Sequence, residues 1–150
     1  MLKYYNYDIV FQEVPDEVSL AINITNCPNH CEDCHSPHLW EDEGTPLDTA
    51  ELDRLMAIYR GNITCVCLMG GDRERALVEH LAHHVHESTN LKVAWYSGRT
   101  AMPSNDDDFD YIKLGPYIPK CGSLKERTTN QRLLKRTTGE WQDITSRFWR

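Results

Sequence analysis

Residues 18–35 read Val18-Ser19-Leu20-Ala21-Ile22-Asn23-Ile24-Thr25-Asn26-Cys27-Pro28-Asn29-His30-Cys31-Glu32-Asp33-Cys34-His35. The first eight are β-rich and alternate, with Val18, Leu20, Ile22 and Ile24 on one side, which predicts a strand with one face in a core. The cysteines that follow are spaced C-x3-C-x2-C. Three thiolates can hold three corners of a cubane of four irons and four sulfides, and the fourth iron is then left without a protein ligand. An open iron is a place where a small molecule can bind and react. The other cysteines, Cys65, Cys67 and Cys121, lie far along the chain. The loop also admits a structural zinc, held by Cys27, Cys31, Cys34 and His35 or His38, although zinc motifs more often pair two separated knuckles. A disulfide reading is weaker still, because three close cysteines cannot all pair among themselves and nothing marks the chain as secreted.

Working outward, 150 residues suggest one domain, residues 1–150, with 121–150 as a C-terminal tail or hairpin packed on it. That is too short for a complete eight-fold β/α barrel, which needs about 250 residues. A formal net charge of −7 argues against a nonspecific nucleic-acid or anionic-membrane binder. No long apolar stretch follows Met1-Leu2-Lys3-Tyr4-Tyr5-Asn6-Tyr7, so a secretory signal is not expected. No run approaches the roughly eighteen apolar residues of a membrane span. A cytoplasmic setting, reducing enough for an exposed iron–sulfur cluster, is the expectation.

The rest of the chain alternates strands and helices. Tyr7–Val14 reads as a strand or an extended lead-in. Asp48-Thr49-Ala50-Glu51 has the form of a capping box, followed at helical spacing by Leu52, Leu55, Met56 and Tyr59 and closed by Gly61. Ile63–Met69 predicts a strand that runs straight into Gly70-Gly71-Asp72. Glu74–Ser88 predicts a helix with Leu77, Val78, Leu81 and Val85 buried. Leu91–Tyr96 and Tyr111–Leu114 predict two more strands, ending at Ser97-Gly98 and Gly115-Pro116. This order argues for an α/β fold with mostly parallel strands. Gln131–Lys135 and Glu140–Ile144, around Thr137-Thr138-Gly139, look like a hairpin. In such sheets ligands bind at the carboxyl ends of the strands. The cysteine loop, Gly70-Gly71-Asp72, Tyr96-Ser97 and Gly115-Pro116 are all expected there. Paired glycines let backbone approach a ligand closely, and Asp72 beside them can accept from an ammonium; a GGD alone is often only a tight turn.

Taken together these motifs resemble the radical S-adenosylmethionine (radical SAM) family. The cysteine spacing carries the resemblance, and Gly70-Gly71-Asp72 is similar to the family's Gly-Gly-Glu/Asp turn. The short length, Cys34-His35, Tyr96-Ser97-Gly98, Asp110-Tyr111-Ile112-Lys113-Leu114-Gly115-Pro116-Tyr117 and the tail elements Gly122-Ser123 and Thr129-Asn130-Gln131-Arg132 resemble one subfamily. These are the glycyl-radical-enzyme activases of anaerobic ribonucleoside-triphosphate reductase. The resemblance implies a shortened, open (partial) β/α barrel. Cys27, Cys31 and Cys34 would hold a [4Fe-4S] cluster, and Asp33, Cys34, His35, Gly70, Gly71, Asp72, Tyr96 and Ser97 would contact S-adenosylmethionine. It implies reductive cleavage of that cofactor to a 5′-deoxyadenosyl radical, which makes a glycyl radical on the reductase large subunit, with an electron donor such as flavodoxin. Neither nucleic acid nor membrane is an expected partner. Three departures stand out: Arg73 follows the turn where proline is common, Asp33 replaces an aromatic residue, and five residues separate Ser123 from Thr129.

Other readings remain open. The chain can be another small radical SAM enzyme acting on a small molecule, or a non-enzymatic zinc-binding module. Cys65 and Cys67 read first as buried small residues, then as a redox pair. His80, His83, His84 and His86 read as a solvated helix face, and Asp106–Asp108 as loop charge. Lys125, Arg127, Arg132, Lys135 and Arg136 gather positive charge that can dock a partner or keep the tail soluble.

Overall fold

A computed structural model describes residues 1–26 and 43–149. Its centre is a sheet of eight strands: β1 (Lys3–Val10), β2 (Ser19–Ile24), β3 (Thr45–Pro46), β4 (Cys65–Met69), β5 (Lys92–Tyr96), β6 (Tyr111–Leu114), β7 (Arg132–Thr137) and β8 (Glu140–Asp143). The order across the sheet is β3-β1-β2-β4-β5-β6-β7-β8. Neighbours β2, β4, β5 and β6 run parallel, through three ladders. The four outer ladders are antiparallel. The sheet is therefore mixed, not mostly parallel. The predicted strand-helix alternation describes its middle, while a lead-in strand and a terminal hairpin supply the antiparallel flanks.

Helices α1 (Thr49–Ile58) and α2 (Arg75–Ser88) lie on the same face of the sheet. Leu52, Leu55 and Met56 of α1 join Val78, Leu81, Ala82 and Val85 of α2 over Leu20, Ile22, Val66, Leu68, Val93, Trp95 and Ile112. Leu77 is 40% exposed, and Ala82 takes the place expected for it in the stripe. Asp48 caps α1 as predicted, accepting from the Glu51 N–H at 2.8 Å. The reciprocal half of the box is absent. Glu51 turns away, accepting from the Tyr4 hydroxyl at 2.5 Å and Arg54 Nε at 2.6 Å. Arg54 first, then Tyr4, holds the Glu51 carboxyl down to about 2.

The opposite face carries the second cluster: Val14, Ala21, Cys65, Cys67, Ala94, Tyr111 and Leu133, with Met69, Tyr96 and Phe148 packed beside it. β1 starts and ends four residues before the predicted strand, because Tyr4 to Val10 pair with Ile24 to Ser19. Past Val10 the chain leaves the ladder, and Val14 is fully buried in this second cluster.

β7 and β8 form the predicted hairpin and extend the same sheet, since β7 pairs with β6. Its two-residue turn puts Thr138 at φ 45° and Gly139 at φ 85°. Positive φ at both positions suits the strand twist, yet strains a β-branched residue. Thr138→Asn is expected to relieve about 1 kcal/mol of that strain. Thermal unfolding should then shift upward by about 2–4 °C; an unchanged or lower midpoint would show that the turn is not strained.

Candidate functional site

The register across the four parallel strands fixes where the predicted motifs meet. Asn23 pairs with Met69, Met69 with Tyr96, and Tyr96 with Lys113. The carboxyl ends of β2, β4, β5 and β6 therefore lie level, on one edge. Gly70, Gly71, Asp72, Tyr96 and Ser97 all come together there. Cys27, Cys31, Asp33, Cys34 and His35 lie outside the described residues. The described chain does reach Asn26, one residue before Cys27, on the same edge.

The Gly70-Gly71-Asp72 turn is held by neighbours on both sides. Gly70 N–H donates to the Tyr96 carbonyl at 3.0 Å, and Trp95 Nε1 donates to the Gly70 carbonyl at 2.7 Å. Gly70 and Gly71 have φ of 110° and 88°. A Cβ on Gly70 would meet the Ile24 carbonyl oxygen at 3.0 Å, and one on Gly71 would meet Val78 Cγ2 at 2.5 Å. Both glycines are thus required by backbone conformation and by close approach. The turn also grips the strand that leads to the cysteines: Arg73 Nε donates to the Asn26 carbonyl at 3.2 Å. Arg73, the departure from the expected proline, has this role.

Asp72 is the hub. Its side chain is 1% exposed. Oδ1 accepts from Ser97 Oγ at 2.5 Å and from Arg75 Nη1 at 3.3 Å, and Oδ2 accepts from Gly98 N–H at 2.7 Å. Arg75 also donates to Ser97 Oγ at 3.3 Å and to the Ala101 carbonyl at 2.7 Å. Its guanidinium sits 4.6 Å from the Trp95 ring centre, and Trp95 stacks on Phe109 at 5.5 Å. Arg75 and Trp95 are the residues that sequence reading missed, whereas Gly98 is part of the Tyr96-Ser97-Gly98 strand end seen in the sequence. An arginine three residues after Asp72, at a helix start, was the available signal.

The alternation of β5 sends Trp95 to the helix side and Tyr96 to the other. The Tyr96 hydroxyl donates to the Glu13 carbonyl, and burial pushes its pKa well above the ordinary phenol value. Lys113, 8% exposed, donates from Nζ to the Gly115 carbonyl at 3.0 Å and lies 5.6 Å from the Tyr96 ring centre. Tyr96 also lines a cleft of about 680 Å³ with Tyr117, Gln131 and Phe148.

The remaining candidates have structural roles. Cys65 and Cys67 are fully buried. Burial pushes the Cys65 thiol up to about 12 and the Cys67 thiol well above its ordinary value. Alkylation needs the thiolate. Iodoacetamide at neutral pH is therefore expected to leave both unmodified in folded protein and to label both after denaturation; labelling in the folded state would revive the redox-pair reading. The histidine face of α2 is partnered, not merely solvated: His84 Nε2 lies 2.7 Å from Asp53, and His83 and His86 face Asp108 at 3.2 and 3.7 Å. Asp106 accepts from Trp141 Nε1 at 2.8 Å. The basic tail is largely spoken for: Arg136 with Asp106, Arg132 with Asp143, Arg127 over Trp149 and Lys135 over Tyr111. No group of metal-binding side chains occurs among the described residues. No described helix is long and apolar enough to cross a membrane.

A family model described as a 4Fe-4S single cluster domain matches residues 18–112, from the start of β2 into β6. The chain belongs to that family, and with it to the iron–sulfur redox proteins. No curated protein and no solved structure matches the chain.

Proposed function

We propose that this chain is a radical SAM activase, which generates a glycyl radical on the large subunit of an anaerobic ribonucleoside-triphosphate reductase. The observation that carries the reading is the place of the Gly70–Asp72 turn, hydrogen-bonded through Arg73 to the residue that precedes Cys27. A site for a small molecule on an open iron needs a close-approach turn nearby, and the bond from Arg73 to Asn26 ties such a turn to the residue from which the cysteine motif starts.

The chemistry of the donor residues suits the proposed cofactors. Three thiolates, Cys27, Cys31 and Cys34, match three irons of a cubane and leave one open. S-Adenosylmethionine would lie along the edge at Gly70, Gly71 and Tyr96, with Asp33, Cys34 and His35 as the further expected contacts; Asp72 and Ser97, expected to touch it, are buried against each other and would instead brace that edge from beneath. When bound and reduced, the pair supplies one-electron cleavage of the sulfonium to methionine and a 5′-deoxyadenosyl radical, which takes a hydrogen atom from the partner's glycine. The chain's own part is to orient and to keep water out. Ser97, Gly98 and Arg75 hold Asp72, and Asp72 fixes the turn. The single winding also supports a shortened, open barrel, with both helices on one face and β2, β4, β5 and β6 in sequential order. We read the setting as cytoplasmic and the electron source as a flavodoxin-type donor.

The test is anaerobic reconstitution, reduction and incubation with S-adenosylmethionine and the reductase large subunit. A glycyl-radical doublet in electron paramagnetic resonance is the expected result. Methionine release with no doublet would favour a small-molecule substrate. Zinc at one per chain, with no iron or sulfide, would leave only a binding module.

A further inference from the structure

The chain leaves the sheet toward the cysteines through Asn26, whose backbone is unusual. β2 runs as far as Ile24, which pairs with Tyr4 of β1. Thr25, buried, is still pinned: its N–H and its hydroxyl both donate to the Lys3 carbonyl, at 2.9 and 3.2 Å. Asn26 then has a φ of 60°. Strand residues have strongly negative φ, so one residue of the opposite sign swings the chain out of the ladder. Asparagine and glycine tolerate this left-handed region, and β-branched residues do not. Among the described residues other than glycine, only Asp16, Asn26 and Thr138 have positive φ, so the bend at Asn26 is a specific feature of this strand end.

A second contact holds the same residue from the Gly70–Asp72 side. Arg73 Nε donates to the Asn26 carbonyl at 3.2 Å. Arg73 sits in the short turn Asp72–Glu74, closed by the Glu74 N–H donating to the Gly71 carbonyl at 3.0 Å. Its neighbour Asp72 is fixed by Ser97 and Gly98. Gly70 presses on the other side of the bend, where an added Cβ would stand 3.0 Å from the Ile24 carbonyl oxygen. The end of β2 is thus wedged between β1 and the turn, and its last residue before Cys27 is latched to that turn. A proline at position 73 has no side-chain donor and could not form the latch.

We propose that Asn26 and Arg73 form a pivot that sets the direction in which the cysteine motif leaves the sheet. Asn26 supplies the left-handed bend, and Arg73 locks it to the turn. Both are positioning residues, and neither is a ligand. Three thiolates have to converge on one cubane, and a segment whose starting direction is already fixed has less freedom to lose when they do. The pivot therefore preorganises the chain for cluster assembly and slows cluster loss.

The pivot rests on Cys27, Cys31 and Cys34 holding the cluster and not on the activase step, so the experiment leaves S-adenosylmethionine out. Wild type, Arg73→Met, Asn26→Gly, Asn26→Val and the double variant Asn26→Val with Arg73→Met are reconstituted anaerobically, and iron release to an added chelator is followed by absorbance. Arg73→Met keeps the stem but loses the donors, and should release iron about fivefold faster, as for one modest hydrogen bond. Asn26→Val should release it about tenfold faster, and Asn26→Gly at a rate within about twofold of wild type. The double variant should match Asn26→Val, because a bend already lost leaves Arg73 nothing to lock. Arg73 is exposed, so the unfolding midpoint of cluster-free Arg73→Met should stay within about 2 °C of wild type. Wild-type iron retention in both Arg73→Met and Asn26→Val overturns the pivot. Fast release from Asn26→Gly overturns it as well, since the side chain and not the bend would then matter. Effects that multiply in the double variant would make the two residues independent and overturn the lock. A clear drop in the Arg73→Met midpoint would show general loosening in place of positioning. A wild type that takes up no iron overturns the cluster assignment itself.

Discussion

Alanine at Cys27, Cys31 or Cys34 is expected to remove the iron and to reduce S-adenosylmethionine cleavage to background. On the proposed assignment each of the three thiolates would hold one iron, and a cubane left with two protein ligands would expose two irons to solvent and oxidant. The check is iron and sulfide content after anaerobic reconstitution, about four of each per chain for the wild type. Alanine at Cys65, Cys67 or Cys121 supplies the contrast. Cys65 and Cys67 are buried under the second core cluster, so their variants should lose stability but keep iron. A Cys31→Ala protein with full iron and full cleavage would sink the ligand assignment. A Cys121→Ala protein without iron would move a ligand into the tail.

Asp72→Ala is expected to be the most damaging substitution among the described residues of the edge. It strands a serine hydroxyl, a backbone N–H and a guanidinium that now share one buried carboxylate. Breaking a buried pair from one side costs about 3–5 kcal/mol. The Arg75 side chain keeps 22% exposure, so the lower end, about 3 kcal/mol, applies. Against a total stability of about 5–15 kcal/mol that is a large share, and it should lower the unfolding midpoint by about 6–12 °C. Asp72→Asn keeps the volume but has one acceptor oxygen; with that oxygen facing Ser97 and Arg75, its NH2 meets the Gly98 N–H and leaves that donor unpaired, so roughly half that loss is expected. Urea unfolding of both variants checks this. A loss under about 1 kcal/mol for alanine would show that the carboxylate does not tie the edge together.

The sequence showed the strands and helices of the middle because each has its own period: alternation in β2, and 3.6-residue spacing in α1 and α2. It showed the half of the site that lies at strand ends, since Gly70-Gly71-Asp72 and Tyr96-Ser97 terminate apolar runs. Strand direction is not a local property. The antiparallel placement of β1 follows from pairing with β2, and nothing in residues 3–10 announces it. Leu77 misled because an apolar residue beside a stripe looks like part of it, and only packing showed Ala82 to be the buried one. The Asp72–Ser97 bond spans 25 residues, and Arg75 acquires meaning only when that bond exists. The second core face was harder to see, because it is covered by irregular chain, Val14 from one end and Phe148 from the other.

The two edge strands have a consequence for how other proteins approach. β3 is two residues long and ends in Pro46, which has no N–H to offer a newcomer. β8 carries Glu140 and Asp143 along its four residues. Short, proline-bearing and charged margins discourage strand addition, and with it edge-to-edge aggregation. At these two margins, β3 and β8, strand addition by a binding partner is therefore disfavoured.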